Sequence, residues 1–229
     1  MSGKLSVVAT PIGNLADITF RAVEVLKEAD YVLAEDTRVT KKLLSHYDIK
    51  TPLKSYHQHS DSQKTEAILD LLEDGKHLAL VTDAGTPGVS DPGGKLVSEV
   101  RKSSAEITIE SIPGPSSVTA ALSISGMPAD EFIFLGFAPH KKGRETFFKD
   151  IGGHQMTVVF YESTHRIGKA LFSLAELFGD SRQVVVAKEL TKMHEEVFSG
   201  TAREAQTYFE EHPEKERGEF VVMVGKRVY

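Results

Sequence analysis

The residues best suited to chemistry are concentrated in one glycine-rich segment, Asp83–Gly94. Four of its twelve residues are glycines, and two are aspartates, Asp83 and Asp91. Glycines let a backbone approach a ligand closely and present N–H donors, and an aspartate can face a cationic group. Asp91 also suits the N-cap of a helix that starts near Pro92. Because that structural role leaves the upstream glycines unexplained, Gly85–Ser90 is predicted to bind a ligand.

Three further segments bring acids, bases and hydroxyls together: Ala34–Arg38, Tyr161–Arg166 and Ala187–Glu196. Each has a structural alternative, because short polar side chains also cap helices and polar runs also form solvated loops. Asp36 or Thr37 would cap a helix, and Ser163 would cap another. Glu195 and Glu196 are predicted to lie in a solvated surface loop.

Metal-binding and nucleotide-binding motifs are missing from the sequence. Of nine histidines, only those of His57-Gln58-His59 would share one face of an extended segment, and polar loop histidines are favoured over a metal site. The loop Thr10–Asn14 has one glycine instead of G-x-G-x-x-G, and no phosphate-binding loop or nucleophile elbow occurs. We therefore expect no metal and no dinucleotide-binding fold.

Short apolar runs alternating with helical patterns indicate the elements that position these residues. Eight strands are predicted, at Leu5–Ala9, Tyr31–Ala34, His77–Val81, Ile107–Ile112, Phe132–Phe137, Met156–Tyr161, Val184–Ala187 and Phe220–Val224. Several lack alternation, as expected of strands buried on both faces, so we predict an α/β fold with mostly parallel sheets. The polar segments follow these strands, and open α/β sheets bind ligands at the carboxyl ends of their strands.

The segment Pro113–Ser117 is the predicted boundary between two domains, 1–113 and 114–229. Proline fixes φ and glycine frees it, so the segment makes a sharp turn between a strand and a helix. Four predicted strands lie on each side, which suggests two halves of similar size with a cleft between them.

The composition is that of a soluble globular protein. The 229 residues include 27 Lys and Arg against 33 Asp and Glu, a net charge of −6, and no cysteine. No apolar run approaches the length of a membrane helix, and the first residues lack a secretory h-region, so a cytoplasmic protein without membrane contact is predicted. The excess of acidic residues argues against nucleic-acid binding through the overall charge. Any such binding would depend on local basic patches.

Six motifs in fixed order carry a resemblance to a known family: Val8–Leu15, Ala34–Arg38, Asp83–Pro87, Pro113–Ser117, Tyr161–Arg166 and Lys188–Lys192. The sequence resembles the tetrapyrrole (corrin/porphyrin) methylase superfamily, in its rRNA-methylating branch. The resemblance implies two α/β domains, each a mostly parallel sheet flanked by helices, with S-adenosylmethionine in the cleft between them. It also implies a homodimer that methylates the ribose 2′-hydroxyl of a decoding-centre cytidine in 16S rRNA of the small ribosomal subunit.

Cofactor contacts are implied by position within the matched motifs. They are Thr10, Pro11, Gly85, Thr86, Pro87, Val89, Ser90, Ser117, Val118, Tyr161, Glu189, Leu190, Gly218 and Phe220. The loop Gly85–Ser90 would hold the methionine part, with Ser117 and Val118 alongside it. Backbone near Tyr161, near Glu189 and around Gly218 would enclose the adenine and ribose.

A ribose hydroxyl is a weak nucleophile, so a proton acceptor within hydrogen-bond reach would assist the transfer. Asp36 and Glu162 are the first candidates, with His57 and His165 as rivals. Local basic groups would contact the RNA phosphates, and the candidates are Arg38, Lys41, Lys142, Arg144 and Arg166.

Two other functions remain open from the sequence. One is methylation of a tetrapyrrole or another acceptor by the same fold, and the other is a ribosome-binding factor without catalysis. The first loop, Ala9–Gly13, replaces the G-x-G-P-G of tetrapyrrole methylases, which favours the RNA branch. The many polar residues at strand ends count against a module without chemistry.

Overall fold

A computed structural model describes residues 3–57, 62–91, 93–103 and 106–226. The chain divides into two compact units, Met1–Ser116 and Ser117–Tyr229. Each unit contains one five-stranded sheet with helices packed against it, which confirms the predicted α/β class.

The first unit is a parallel sheet with helices between its strands. Its strands are β1 (Lys4–Val8), β2 (Tyr31–Ala34), β3 (Leu53–Ser55), β4 (His77–Leu80) and β5 (Thr108–Ile112). Its helices are α1 (Phe20–Glu28), α2 (Thr37–His46), α3 (Ser62–Glu73) and α4 (Gly93–Lys102). The strand order is β3-β2-β4-β1-β5, and every pair is parallel, so all five carboxyl ends lie along one edge.

Both faces of this sheet are buried, as the continuous apolar strands predict. On one face Val8 and Val32 pack with Leu26 of α1. On the other, Leu5 and Leu33 belong to a second cluster with residues of α3 and α4. Successive strand residues point to opposite faces, so β1, β2, β4 and β5 each supply residues to both layers.

The second unit has a different sheet. Its strands are β6 (Phe132–Phe137), β7 (Thr157–Ser163), β8 (Gln183–Lys188), β9 (Glu196–Thr201) and β10 (Glu219–Val224). Its helices are α5 (Ser117–Ser125), α6 (Arg144–Ile151), α7 (Ile167–Phe178) and α8 (Ala202–Glu211). The order is β6-β7-β10-β8-β9, in which only β6 and β7 run parallel.

The prediction of a mostly parallel second sheet is therefore wrong. The apolar run Val184–Ala187 is buried along its whole length, and α5 and α8 both pack on this sheet. Burial on two faces produces such a run whatever the strand direction, so the pattern carries no information about parallel or antiparallel pairing.

Two strands, β3 and β9, were not predicted. Both are edge strands with polar or exposed residues, and the predicted loop residue Glu196 opens β9. Edge strands have fewer covered positions, so their apolar signal is weak. Within the described part of the chain, no helix is both long and apolar enough to cross a membrane.

Candidate functional site

The carboxyl edge of the first sheet holds the glycine-rich segment in place. The segment follows β4, and its Gly85 forms two backbone hydrogen bonds with Thr10, which follows β1. Thr10 Oγ1 also donates to the Thr82 carbonyl oxygen, 3.1 Å away. Buried Thr10 therefore ties the two strand ends together and fixes where the glycine loop begins.

Three residues of the loop have backbone conformations with positive φ. Gly85 and Gly88 have φ of 84° and 86°, and Ser90 has φ of 64°, a region that favours glycine. Asp91 Oδ1 accepts hydrogen bonds from the backbone N–H groups of Gly88 and Gly93, at 2.7 and 2.8 Å. Asp91 thus closes the loop onto the start of α4, as the sequence suggested, while Pro92 lies outside the described residues.

The remaining predicted loop residues differ in exposure. Thr86 Oγ1 donates to the Pro115 carbonyl oxygen at 3.2 Å, which links the loop to the segment after β5. Pro87 is buried, as is Pro11. Val89 and Ser90 are exposed, so their side chains face solvent and are available to a ligand.

Asp36 occupies a structural position. Its side chain caps α2 by accepting from the Arg38 backbone N–H at 2.8 Å, and it forms an ion pair with the Arg38 guanidinium at 2.7 Å. Hydrogen bonds from Arg38 lower the pKa of Asp36 to about 2. A carboxylate with such a low pKa is a weak proton acceptor, although its catalytic role stays a prediction.

Glu35, next to Asp36, was not singled out in the sequence. Burial raises the pKa of this carboxyl, and the charges of Asp83 and Asp91 act in the same direction, against a hydrogen bond from Thr82 and the charge of His57. The Thr82 Oγ1 contact is long, at 3.4 Å. A signal was present in the sequence, because adjacent residues at a strand end point to different sides and only one of the two acids can cap the helix.

The other predicted residues of this unit lie at the same edge or on α2. His57 follows β3 and is partly buried, while its neighbours Gln58 and His59 are outside the described residues. Arg38 and Lys41 are exposed on the first turns of α2. Arg38 forms an ion pair with Asp36. Lys41 is exposed on the helix surface, as expected of a residue that contacts RNA phosphates.

In the second unit, Tyr161 is set in an aromatic cluster at the end of β7. Its hydroxyl shares a 2.8 Å hydrogen bond with Ser117 Oγ, at the start of α5. The rings of Phe134 and Phe137 meet it with centroids 4.9 and 5.0 Å away. Burial raises the pKa of Tyr161, so it acts as a neutral hydrogen-bonding group near pH 7. Val118, next to Ser117, is buried.

Glu189 and Gly218 form a tight junction at the ends of β8 and β10. Glu189 Oε1 accepts from the Glu219 backbone N–H and from Lys192 Nζ, both at 2.8 Å. Thr164 Oγ1 bonds to both the N–H and the carbonyl of Gly218 at 2.8 Å. Glu189 and Gly218 also line a cavity of about 790 Å³ within this unit.

Leu190 and Phe220 are buried beside this junction, and Phe220 belongs to the core of the unit. A ligand would therefore meet the backbone at Phe220 rather than its ring, as the family resemblance implied.

Glu162 is fully buried between two arginines. Its carboxylate lies 2.8 Å from Arg144 and 3.0 Å from Arg166, and it accepts from the Ser163 backbone N–H at 2.8 Å. Arg144 also donates to the Pro139 carbonyl, and Arg166 to the Ala138 carbonyl. The geometry gives Glu162 a structural role and holds Arg144 and Arg166 towards the interior of the unit. Proton transfer by Glu162 and RNA contacts by the two arginines stay predictions.

Lys142 and His165 are both exposed, the first before α6 and the second in the turn before α7. They remain accessible to a large substrate.

Comparison with known proteins assigns the family. The family described as Tetrapyrrole (Corrin/Porphyrin) Methylases matches residues 4–206. The chain belongs to this methylase family. A solved uroporphyrin-III-C-methyltransferase from Thermus thermophilus has the same fold, with a TM-score of 0.64 and 22% identity over 98% of this chain and 94% of that one.

Two proteins of more similar sequence are named ribosomal RNA small subunit methyltransferase I. The one from Thermotoga maritima is 45% identical, covering 98% of this methylase and 99% of that protein. The one from Escherichia coli O157:H7 is 44% identical, covering 97% of this methylase and 77% of that protein.

Proposed function

We propose that this methylase transfers a methyl group from S-adenosylmethionine to the ribose 2′-hydroxyl of a decoding-centre cytidine in 16S rRNA. The observation that carries the proposal is the 45% identity, over nearly the full length of both chains, to a small-subunit rRNA methyltransferase. The uroporphyrin methyltransferase, at 22% identity, shares the fold and gives no support for a tetrapyrrole acceptor.

The chain's residues fit the proposed methyl donor. When bound, S-adenosylmethionine supplies a methyl group on a positively charged sulfur. The glycine loop Gly85–Ser90 is free of bulky side chains at two left-handed positions, and a Cβ added to Gly85 would come within 3.5 Å of Ile12. The carboxylates of Asp83 and Asp91 border this loop and suit a donor that carries positive charge.

In the second unit, the backbone near Tyr161, Glu189 and Gly218 is proposed to contact the adenine and ribose of the donor, with Ser117 and Val118 as further contacts, as the family resemblance implies. The chain's contribution is mainly to orient the ribose hydroxyl and to exclude water, since methyl transfer depends on alignment of the reacting atoms. We also propose that the working unit is a cytoplasmic homodimer, as the family resemblance implies.

The test uses methyl-labelled S-adenosylmethionine and small ribosomal subunits that lack the modification, followed by alkaline hydrolysis of the RNA. Label in an alkali-resistant dinucleotide is expected, because a 2′-O-methyl group blocks hydrolysis at that position. Subunits that already carry the modification should take up no label. Tight binding of the donor with no transfer to any RNA would instead favour a ribosome-binding factor without catalysis.

A further inference from the structure

Glu35 is a carboxylate at the end of β2 that, in the ranges that the structure describes, neither caps a helix nor takes part in an ion pair. The neighbouring Asp36 caps α2 and pairs with Arg38, so neither task falls to Glu35. Among the described residues, its one hydrogen-bonding contact is the 3.4 Å approach of Thr82 Oγ1. A side chain at the carboxyl edge of a parallel sheet that stabilises neither a helix nor an ion pair is available for chemistry.

Charged groups from several strand ends lie near Glu35. Asp83 follows β4, and Asp91 closes the glycine loop, so two negative charges face Glu35. His57, after β3, is the nearby basic group. On its own strand end, Asp36 is neutralised by Arg38. Burial and the like charges make the ionised form of Glu35 costly, and such arrangements are concentrated at functional sites.

A short chain of contacts connects Glu35 to the proposed donor site. Thr82 contacts Glu35 through its hydroxyl and accepts from Thr10 through its carbonyl. Thr10 in turn pairs with Gly85, the first residue of the glycine loop. Glu35 thus lies beside the loop proposed to hold the methyl donor, within one unit of the protein.

Building on the proposed function, we propose that Glu35 is the catalytic residue that accepts the proton of the ribose 2′-hydroxyl. The ribose oxygen bonds to the methyl carbon while the methyl–sulfur bond breaks and its electron pair stays on sulfur. The hydroxyl proton passes to the Glu35 carboxylate, which later releases it to water. The raised pKa of Glu35 supports this role, since it makes the carboxylate a better acceptor than Asp36.

The test compares Glu35→Gln with the wild type on unmodified small subunits, measuring kcat, KM for S-adenosylmethionine, and thermal stability at pH 7. We expect kcat to fall at least ~100-fold with KM for the donor little changed. We expect the melting temperature to rise, because the neutral amide no longer repels Asp83 and Asp91. Glu24→Gln, on the exposed surface of α1, is the matched control and should keep the wild-type rate.

A second variant tests the proton transfer directly. Asp83→Asn keeps the oxygen that accepts from the Asp36 backbone N–H but removes a charge that raises the pKa of Glu35. The transfer rate should rise with pH as Glu35 ionises. In Asp83→Asn this rise should occur at lower pH. A structural role for Glu35 would not produce that shift.

The outcomes separate the two proposals. An active wild type with a fully active Glu35→Gln overturns the role of Glu35 alone. A defect confined to KM for the donor would make Glu35 a cofactor contact, and a lower melting temperature would make it structural. Loss of transfer in Asp36→Asn with retention in Glu35→Gln would assign the proton to Asp36. A wild type that transfers no label overturns both proposals.

Discussion

Two adjacent carboxylates at the end of β2 have opposite environments. Asp36 is stabilised as an anion by the α2 backbone and Arg38, which lowers its pKa to about 2. Glu35 is destabilised as an anion by burial and by Asp83 and Asp91, which raises its pKa. One residue therefore contributes to the fold and its neighbour is free for proton transfer, a separation that also occurs in acid–base enzymes.

Gly218 is a residue whose substitution should disturb the Glu189 junction. It has φ of 119°, and an added Cβ would lie 2.6 Å from Glu189 Cγ. Glu189 cannot move aside without breaking its hydrogen bonds to Glu219 and Lys192. Gly218→Ala should therefore lower the free energy of unfolding by at least the ~1–3 kcal/mol of a strained backbone position, as measured by chemical denaturation.

Gly126→Ala is the matched control for Gly218. Its φ of 69° imposes a backbone cost, but no heavy atom lies within 4 Å of the added Cβ. The difference between the two variants combines the clash with Glu189 and the less favourable φ of 119° at Gly218. Equal decreases in both variants would contradict a tight junction between Glu189 and Gly218.

At the scale of elements, Glu162 joins three segments of the second unit. It lies near the end of β7, while Arg144 begins α6 and Arg166 occupies the N-cap position of α7. Glu162→Gln keeps the shape but leaves two arginines without their counter-ion. Breaking a buried ion pair by removing one partner typically costs about 3–5 kcal/mol, and we expect a decrease of this size in chemical denaturation.

Glu176→Gln, exposed on the surface of α7, should leave the free energy of unfolding nearly unchanged. If Glu162→Gln behaved like this surface control, the buried cluster would not be holding α6 and α7 to the sheet.

At the scale of the whole molecule, a net charge of −6 must be reconciled with an RNA substrate. Arg144 is turned inwards, which leaves Lys141 and Lys142 as the exposed cations of the turn before α6. Replacing both lysines with Gln should weaken RNA binding. The slope of log K against log salt should become shallower by about 0.7–0.9 for each phosphate that the protein no longer neutralises.

Lys169→Gln, which removes one exposed charge from α7 of the same unit, shows the effect of losing a positive charge outside this turn. A salt dependence in the double lysine variant that matched this control would show that the turn does not bind RNA phosphates.

The sequence by itself determined the α/β class, the positions of eight of the ten strands in the described residues and the concentration of polar residues at their carboxyl ends. These features depend on local patterns: apolar runs mark strands buried on both faces, and glycine, proline and short polar residues mark turns and caps. The capping residues Asp36 and Asp91 were predicted in this way, and ligand binding by Gly85–Ser90 stays a prediction of the same kind. Ordered motifs extended the prediction to a family of methylases.

Only the tertiary structure decided strand direction in the second sheet and the roles of individual charged residues. Val184–Ala187 is equally apolar whether its neighbours run parallel or antiparallel. The sequence makes Glu162 a candidate proton acceptor, whereas the structure pairs it with Arg144, 18 positions before it in the chain. Glu35 gained its importance from burial and from the charge of Asp83, which follows a different strand. Electrostatic environment depends on which chain segments meet in space, and no local pattern encodes that.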